Sequence, residues 1–274
     1  MQEFIVYLVS DLHLTFRTVK TYLYAVKDWA CELGYKDPTL DRHGSKHLFN
    51  KMLKGAQRSC FRRPRDRRPL KRYHVRKILD DFERTSYCYT DKVAFRAALL
   101  LAYYGFMRAS EYLRTPLNSR GLLRRKDVKF IKNQVSQRVE RVKIRLRSTK
   151  NNQFSCTYID IFTQISEWCP VTELLRYIDL IKPDKEGPLF LSAGYPFTAK
   201  RFNTMLRVGA AQSGFDPKYF SSHSLRSGAA TQAGDASVPS WVIQRLGRWR
   251  SDCYTTYIKS AVRPIKVAQK AIRI

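Results

Sequence analysis

Thr90 to Leu113 read TDKVAFRAALLLAYYGFMRASEYL. Thr90 is placed to cap a helix that runs to Gly105. Its unbroken apolar stretch, Ala97 to Met107, is eleven residues long and bracketed by Arg96 and Arg108. A helix with almost no polar face belongs inside a larger domain, and eleven residues fall well short of a membrane span. Working outward, three runs have strand character: 128–131, 139–146 and 154–162. The middle run alternates, with Val142, Ile144 and Leu146 against Lys143, Arg145 and Arg147, which is the period of a half-buried strand. Asn151-Asn152 supplies the turn that follows it. Upstream, Val75, Ile78, Leu79 and Phe82 make one helical stripe. Downstream, helices are expected at 171–181 and 198–212, the second stopping at Gly214. From His223 onward short helices are broken at Gly234, Pro239 and Gly247. The fold class expected is mainly α with a small β-sheet (α+β).

The first part of the chain is helical by pattern. Val19, Tyr22, Leu23, Val26, Trp29, Ala30 and Leu33 recur at spacings of three and four. Thr15 or Thr18 serves as N-cap and Gly34 as stop, and Leu48, Phe49, Met52 and Leu53 repeat the pattern before Gly55. Residues 1–58 therefore form one helical unit. It opens within a helical pattern, so an upstream helix absent from this chain is expected. Composition then changes sharply. RRPRDRRPLKRYHVRK, residues 62–77, holds nine Lys/Arg and one acid, with Pro64 and Pro69 opposing a continuous helix. Residues 59–72 are expected to be a basic linker and 73–274 a second domain. Arg62, Arg63, Arg65, Arg67, Arg68, Lys71 and Arg72 are candidates for phosphate contact. A solvated loop or a nuclear-import signal fits the same residues.

The 274 residues carry 51 Lys+Arg against 23 Asp+Glu, a formal charge of +28. With 44% hydrophobic and 13% aromatic residues the chain can bury a core, and its charge calls for a polyanionic partner, nucleic acid first. The start, MQEFIVYLVSDLHL, lacks a basic leader, and Asp11 interrupts it. No two of the six cysteines make a CxxC pair, so a zinc ribbon is unsupported. His43 and His47, with Cys31 and Cys60 in the same region, are a weak metal candidate beside the plainer reading of surface residues.

The phosphate-loop, dinucleotide, zincin and nucleophile-elbow motifs are absent. No carboxylate cluster would seat two metal ions. Phosphoryl transfer without a metal needs organic cations, and arginine suits this best because its planar fork meets two phosphate oxygens and keeps its charge. Two segments have that character. YYGFMRASEYL, residues 103–113, sets Arg108 just after the apolar helix with Glu111 three residues on. HSLRSGAAT, residues 223–231, sets His223 and Arg226 three apart, on one side of a helical turn. LGRWRSDCYTTYIK, residues 246–259, follows with Trp249, Tyr254 and Tyr257.

In this order the blocks resemble the tyrosine recombinases, the phage-integrase-like family, over most of the chain. GRWRSDCYTTYIK is most similar to recombinases of eukaryotic mobile elements of the Crypton and DIRS-like kind. The resemblance implies a helical, SAM-like core-binding domain followed by a catalytic domain with a three-stranded antiparallel sheet. It implies Tyr257 as the nucleophile that forms a 3′-phosphotyrosyl link. Arg108 and Arg226 would clamp the non-bridging oxygens, while His223 and Trp249 donate hydrogen bonds. Lys150, in the RSTKNN turn, would protonate the leaving 5′-oxygen, and Glu111 would support Arg108. Tyr254, one helical turn from Tyr257, is a rival nucleophile, and Lys143 a rival for Lys150. Trp249 stands where histidine is commoner in bacterial members. Neither metal nor ATP is implied, since the covalent link conserves the phosphodiester. The partners implied are double-stranded DNA and three further copies of the chain, exchanging C-terminal tails on two synapsed duplexes. No membrane or small-molecule substrate is implied. Strand exchange in the nucleus is the expected function. The alternatives are a catalytically silent DNA-binding descendant and a relaxing enzyme like the type IB topoisomerases. An RNA-binding protein lacks any recognisable RNA module.

Overall fold

In a computed structural model of the chain, residues 1–60, 67–116, 122–147 and 156–256 are described, and their contacts divide into two units, Met1–Arg65 and Asp66–Ile274.

In the first unit α1 (Gln2–Val6) continues into a π-type turn, Tyr7–Asp11. Thr15, in extended conformation, caps α2 (Phe16–Glu32), its side chain accepting the Thr18 N–H at 3.3 Å. Helix α3 (His47–Ser59) passes through Gly55 instead of ending before it. The packing of Phe49 and Ala56 with Ile5, Leu8, Val19 and Leu23 holds this helix past the glycine. His43, His47, Cys31 and Cys60 do not gather: among the described residues no three potential metal ligands come together.

The second unit begins with α4 (Arg72–Phe82), followed by α5 (Tyr89–Tyr104) and the short α6 (Ala109–Tyr112). The N-cap of α5 is Cys88, two residues before the expected Thr90. Every residue of α5 from Val93 to Tyr103 is buried. Its two buried charges are answered. Asp91 accepts Ser192 Oγ at 2.7 Å and Arg201 Nη2 at 2.6 Å, and Arg96 donates to Glu173 at 3.2 Å and to Glu83. Without such partners each would cost several kcal/mol, on the order given for isolated buried ions.

Strands β1 (Val128–Lys132), β2 (Val139–Leu146) and β3 (Thr157–Phe162) form an antiparallel sheet in that order. Val142, Ile144 and Leu146 are buried on one face, as the alternation requires. The register pairs Val128 with Ile144 and Leu146 with Thr157. Next come α7 (Pro170–Ile181), the two-residue strands β4 (Leu191–Ser192) and β5 (Tyr195–Pro196), and α8 (Ala199–Gln212), capped by Thr198. The chain then forms α9 (Ser222–Asp235) and α10 (Ser240–Gly247), and a 3-10 turn at Asp252–Thr256 closes the described part. The architecture is the expected one, mainly helical with a three-stranded antiparallel sheet.

Residues 67–71, expected as linker, lie along α9. The Arg68 N–H donates to Tyr219 O at 3.1 Å and the Leu70 N–H to Ser224 O at 2.9 Å. Gly228 makes this approach feasible: a Cβ there would sit 1.9 Å from Leu70 O. Gly228→Ala should therefore lower stability by about 1–3 kcal/mol or more, the cost of overpacking against backbone. Urea titration checks this. The same change at Gly55 meets nothing within 4 Å and should be neutral or stabilising by up to about 1 kcal/mol. Equal effects at both positions would contradict the packing account.

Candidate active site

The turn leaving α5 brings Arg108 forward. Phe106 adopts a left-handed conformation (φ 48°), and Arg108 becomes the extended N-cap of α6. Glu111 folds back on it, accepting the Arg108 N–H at 2.9 Å and its Nη1 at 3.2 Å. This carboxylate is 1% exposed and takes a second cation, Arg248 Nη2, at 2.8 Å. A buried carboxylate is tolerated when its lone pairs are met in this way. Arg248 also donates to the carbonyls of Gly105 at 3.0 Å and Phe106 at 3.2 Å, so it ties the Arg108 turn to the end of α10. Burial drives its pKa below the ordinary arginine value, against the pull of Glu111.

Arg226 enters from the first turns of α9 and is 1% exposed. Nη1 donates to the Phe106 carbonyl and Nη2 to the Gly247 carbonyl. Its guanidinium carbon lies 4.4 Å from the Trp249 ring centroid, a cation–π contact. Trp249 in turn meets Phe106 edge-on (6.4 Å, 85°) and Tyr254 at 6.0 Å. Gly247 leaves room for the indole: a Cβ there would be 1.7 Å from Trp249 Cζ3.

His223, one turn before Arg226, faces solvent. Partial desolvation of its ring, then the charges of Arg67, Arg226 and Arg108, hold its pKa below the usual value. Its neutral form is thereby favoured. Bringing a phosphate to this cluster would reverse the electrostatic balance, because a nearby anion favours the imidazolium. In an NMR titration His223 should have a pKa below about 6.5 in the free protein, and the value should rise when DNA is added. An unshifted value with DNA bound would contradict a phosphate seat beside His223.

The structure therefore brings Arg108, Glu111, His223, Arg226 and Trp249 into one cluster. Tyr254 joins them as a buried ring against Trp249. Lys150 and Tyr257 lie outside the described residues. The last described residue before the segment bearing Lys150, Arg147, makes a bidentate pair with buried Asp127, at 2.8 and 2.9 Å, at the end of β2. Its rival Lys143 is mid-strand, paired in register with Lys129 and Asp160 and 5.2 Å over the Tyr158 ring.

The basic run divides. Arg62, Arg63 and Arg65 lie outside the described residues. Arg67 is exposed and close enough to His223 to depress its pKa. Arg68 stacks on Tyr219 at 3.9 Å. Lys71, expected on phosphate, is paired with Asp235 at 2.8 Å, and the Arg72 N–H donates to Gln232 Oε1 at 3.3 Å while its side chain is exposed. These contacts follow from residues 67–71 lying along α9, a pairing that composition does not reveal. Sequence reasoning gave Arg248 no role. Its identity beside Trp249 was visible, but its partner Glu111 is 137 residues away.

The profile of the phage integrase family matches residues 68–262. A search of curated proteins finds no match. Among solved structures, the fold is similar to XerH site-specific recombinase bound to palindromic difH substrate in a post-cleavage complex, with 16% identity and a TM-score of 0.56. That match covers 73% of this chain and 51% of the other, so the chain spans about half the length of that recombinase. It is similar to XerA recombinase, with 17% identity, a TM-score of 0.53, and coverage of 100% and 98%. It is also similar to the Tn1549 transposon integrase in complex with circular intermediate DNA, with 15% identity, a TM-score of 0.55, and coverage of 98% and 83%. At these identities the likeness is one of fold.

Proposed function

The chain belongs to the phage integrase, or tyrosine recombinase, family, and from that premise we propose that it exchanges DNA strands at specific sites through a covalent intermediate. The Tyr257 hydroxyl attacks a backbone phosphorus and releases its proton to solvent. An O–P bond forms, the bond to the 5′-oxygen breaks, and the DNA is left as a 3′-phosphotyrosyl ester with a free 5′-hydroxyl. Lys150 supplies the proton to the leaving oxygen. Arg108 and Arg226 neutralise the non-bridging oxygens, with His223 and the Trp249 indole N–H as further donors. Glu111 and Arg248 hold the Arg108 turn. The reverse attack by a 5′-hydroxyl rejoins the strand, and neither ATP nor metal enters the scheme.

The observation that carries this reading is the convergence of Arg108, His223, Arg226 and Trp249, drawn from three separated segments, around the Phe106 turn. The reading extends to integration or excision of a mobile element of the Crypton or DIRS-like kind, supported by GRWRSDCYTTYIK. It extends also to a homotetramer on two duplexes that exchanges its tails, supported by apolar Val262, Ile265, Val267 and Ile272 among the bases, and to the nucleus, supported by the basic run. Residues 1–58 are assigned to core binding of DNA. A second reading, a silent DNA-binding descendant, is favoured by one feature: both Arg226 Nη atoms are engaged by backbone carbonyls in a buried setting.

Incubation with nicked suicide DNA in EDTA separates the two readings. An SDS-resistant adduct from the parent protein and from Tyr254→Phe, absent in Tyr257→Phe, is expected. No adduct from the parent on its own target would favour the silent reading. An adduct lost only in Tyr254→Phe would move the nucleophile.

A further inference from the structure

A second basic surface lies at the end of the sheet from which β2 leaves for β3, lined by none of the residues assigned above. Arg125, Lys126 and Lys129 reach it from the 3-10 turn at Arg125–Asp127 and from β1, and Lys182 and Lys185 from the end of α7 and the turn beyond. Together they border a cleft of about 810 Å³ whose apolar lining includes Val128, Ile178 and Pro183. Compensation is incomplete. Glu186 pairs with Lys126, and among the described residues Asp179 is the one acidic residue lining the cleft. Lys129, Lys182 and Lys185 form no ion pair among the described residues. Lys182 has a local use, since a cation at a helix C-terminus meets the last carbonyls. Lys129 and Lys185 have none among the described residues, and like charges gathered on one cleft raise the energy of the free protein until a polyanion relieves them.

The register decides which polyanion fits. Val128 is paired with Ile144, and Arg147 is clipped to Asp127, so the cleft adjoins the point where the chain enters the segment bearing Lys150. On the strand-exchange reading Lys150 serves the leaving oxygen, so the leaving strand would run toward this end of the sheet. We propose that the cleft is a second DNA-phosphate site, holding the backbone beyond the cleaved phosphate on the side of the leaving 5′-hydroxyl. The proposal rests on the strand-exchange reading above.

The test uses the full chain carrying Tyr257→Phe, so that no covalent trapping occurs. Its affinity for a mixed-sequence DNA duplex is measured between about 0.05 and 0.2 M salt. Adding Lys129→Ala, Lys182→Ala and Lys185→Ala should make the plot of log affinity against log salt shallower by about 2–3, and weaken binding at 0.1 M salt on the order of 100-fold. Lys132→Ala with Arg138→Ala, at the opposite end of the sheet, should leave the slope unchanged. An unchanged slope in the triple variant would overturn the proposal. So would loss of binding to a polyglutamate probe with DNA binding intact, which would make the occupant an acidic protein segment. Sidedness is read on the nicked substrate with uncharged methylphosphonates. Downstream of the cleaved phosphate they should weaken the parent and spare the triple variant. Equal weakening of both would overturn the placement. A parent protein with no salt-dependent DNA binding would instead remove the strand-exchange reading itself.

Discussion

Arg226→Ala is expected to lower single-turnover cleavage of a suicide substrate by about 10²–10³-fold, the usual cost of removing one preorganised donor to a developing oxyanion. Arg226→Lys should rescue little of this. Lysine keeps the charge but not the planar fork that reaches the Phe106 and Gly247 carbonyls while stacking on Trp249. The alanine variant should also be less stable. It leaves the buried Gly247 carbonyl without its donor, at about 1–3 kcal/mol, and leaves the Phe106 carbonyl with Arg248 alone. Rate and stability are separable: Arg108→Ala, at a partly exposed side chain, should cost a comparable factor in rate with a smaller loss on urea titration. Near-parent cleavage by Arg226→Ala would exclude Arg226 from the phosphate clamp.

The second large effect is expected at a glycine. In Gly247→Ala the new methyl would occupy the Trp249 ring position, at 1.7, 2.0 and 2.4 Å from Cζ3, Cε3 and Cη2. No small adjustment relieves this, so the indole must leave. Its departure uncovers the Arg226 guanidinium and breaks the edge contact with Phe106. Displacing a donor by about 1 Å is enough to cost 10²-fold, and cleavage should fall by about that factor or more. Trp249→Phe is the comparison, because it removes the N–H and preserves much of the packing. Gly247→Ala should be the worse of the two in both rate and stability. If Gly247→Ala retained parental activity, the indole would not be held where the structure puts it.

What was legible in the sequence was what local pattern encodes. The almost wholly apolar run after Asp91 announced a buried helix, and the alternation of Val142, Ile144 and Leu146 gave a strand with the correct face inward. Cap positions moved by a residue or two, from Thr90 to Cys88, because a side-chain cap is optional when tertiary packing holds the helix. The paired strands β4 and β5 were missed because two residues are too few to show a period. The candidate site was legible as an ordered set of residue types. Its joinery was not, since Arg248 serves Glu111 and Arg226 serves the Phe106 carbonyl across more than a hundred residues. The basic run shows the limit of composition most clearly. Nine cations in sixteen residues fit a strap on phosphate, a solvated loop or an import signal alike, and composition does not encode that Leu70 packs over Gly228 or that Lys71 pairs with Asp235.

In the proposed reaction DNA becomes joined through phosphate to one named tyrosine oxygen. Digesting the SDS-resistant adduct with nuclease and protease, and sequencing the remaining peptide by mass spectrometry, tests it most directly. The expected product is a nucleotide linked by its 3′-phosphate to Tyr257, in the peptide that continues Ile258-Lys259. The same mass on Tyr254, a 5′-phosphate linkage, or an adduct on a residue outside 246–259 would contradict it.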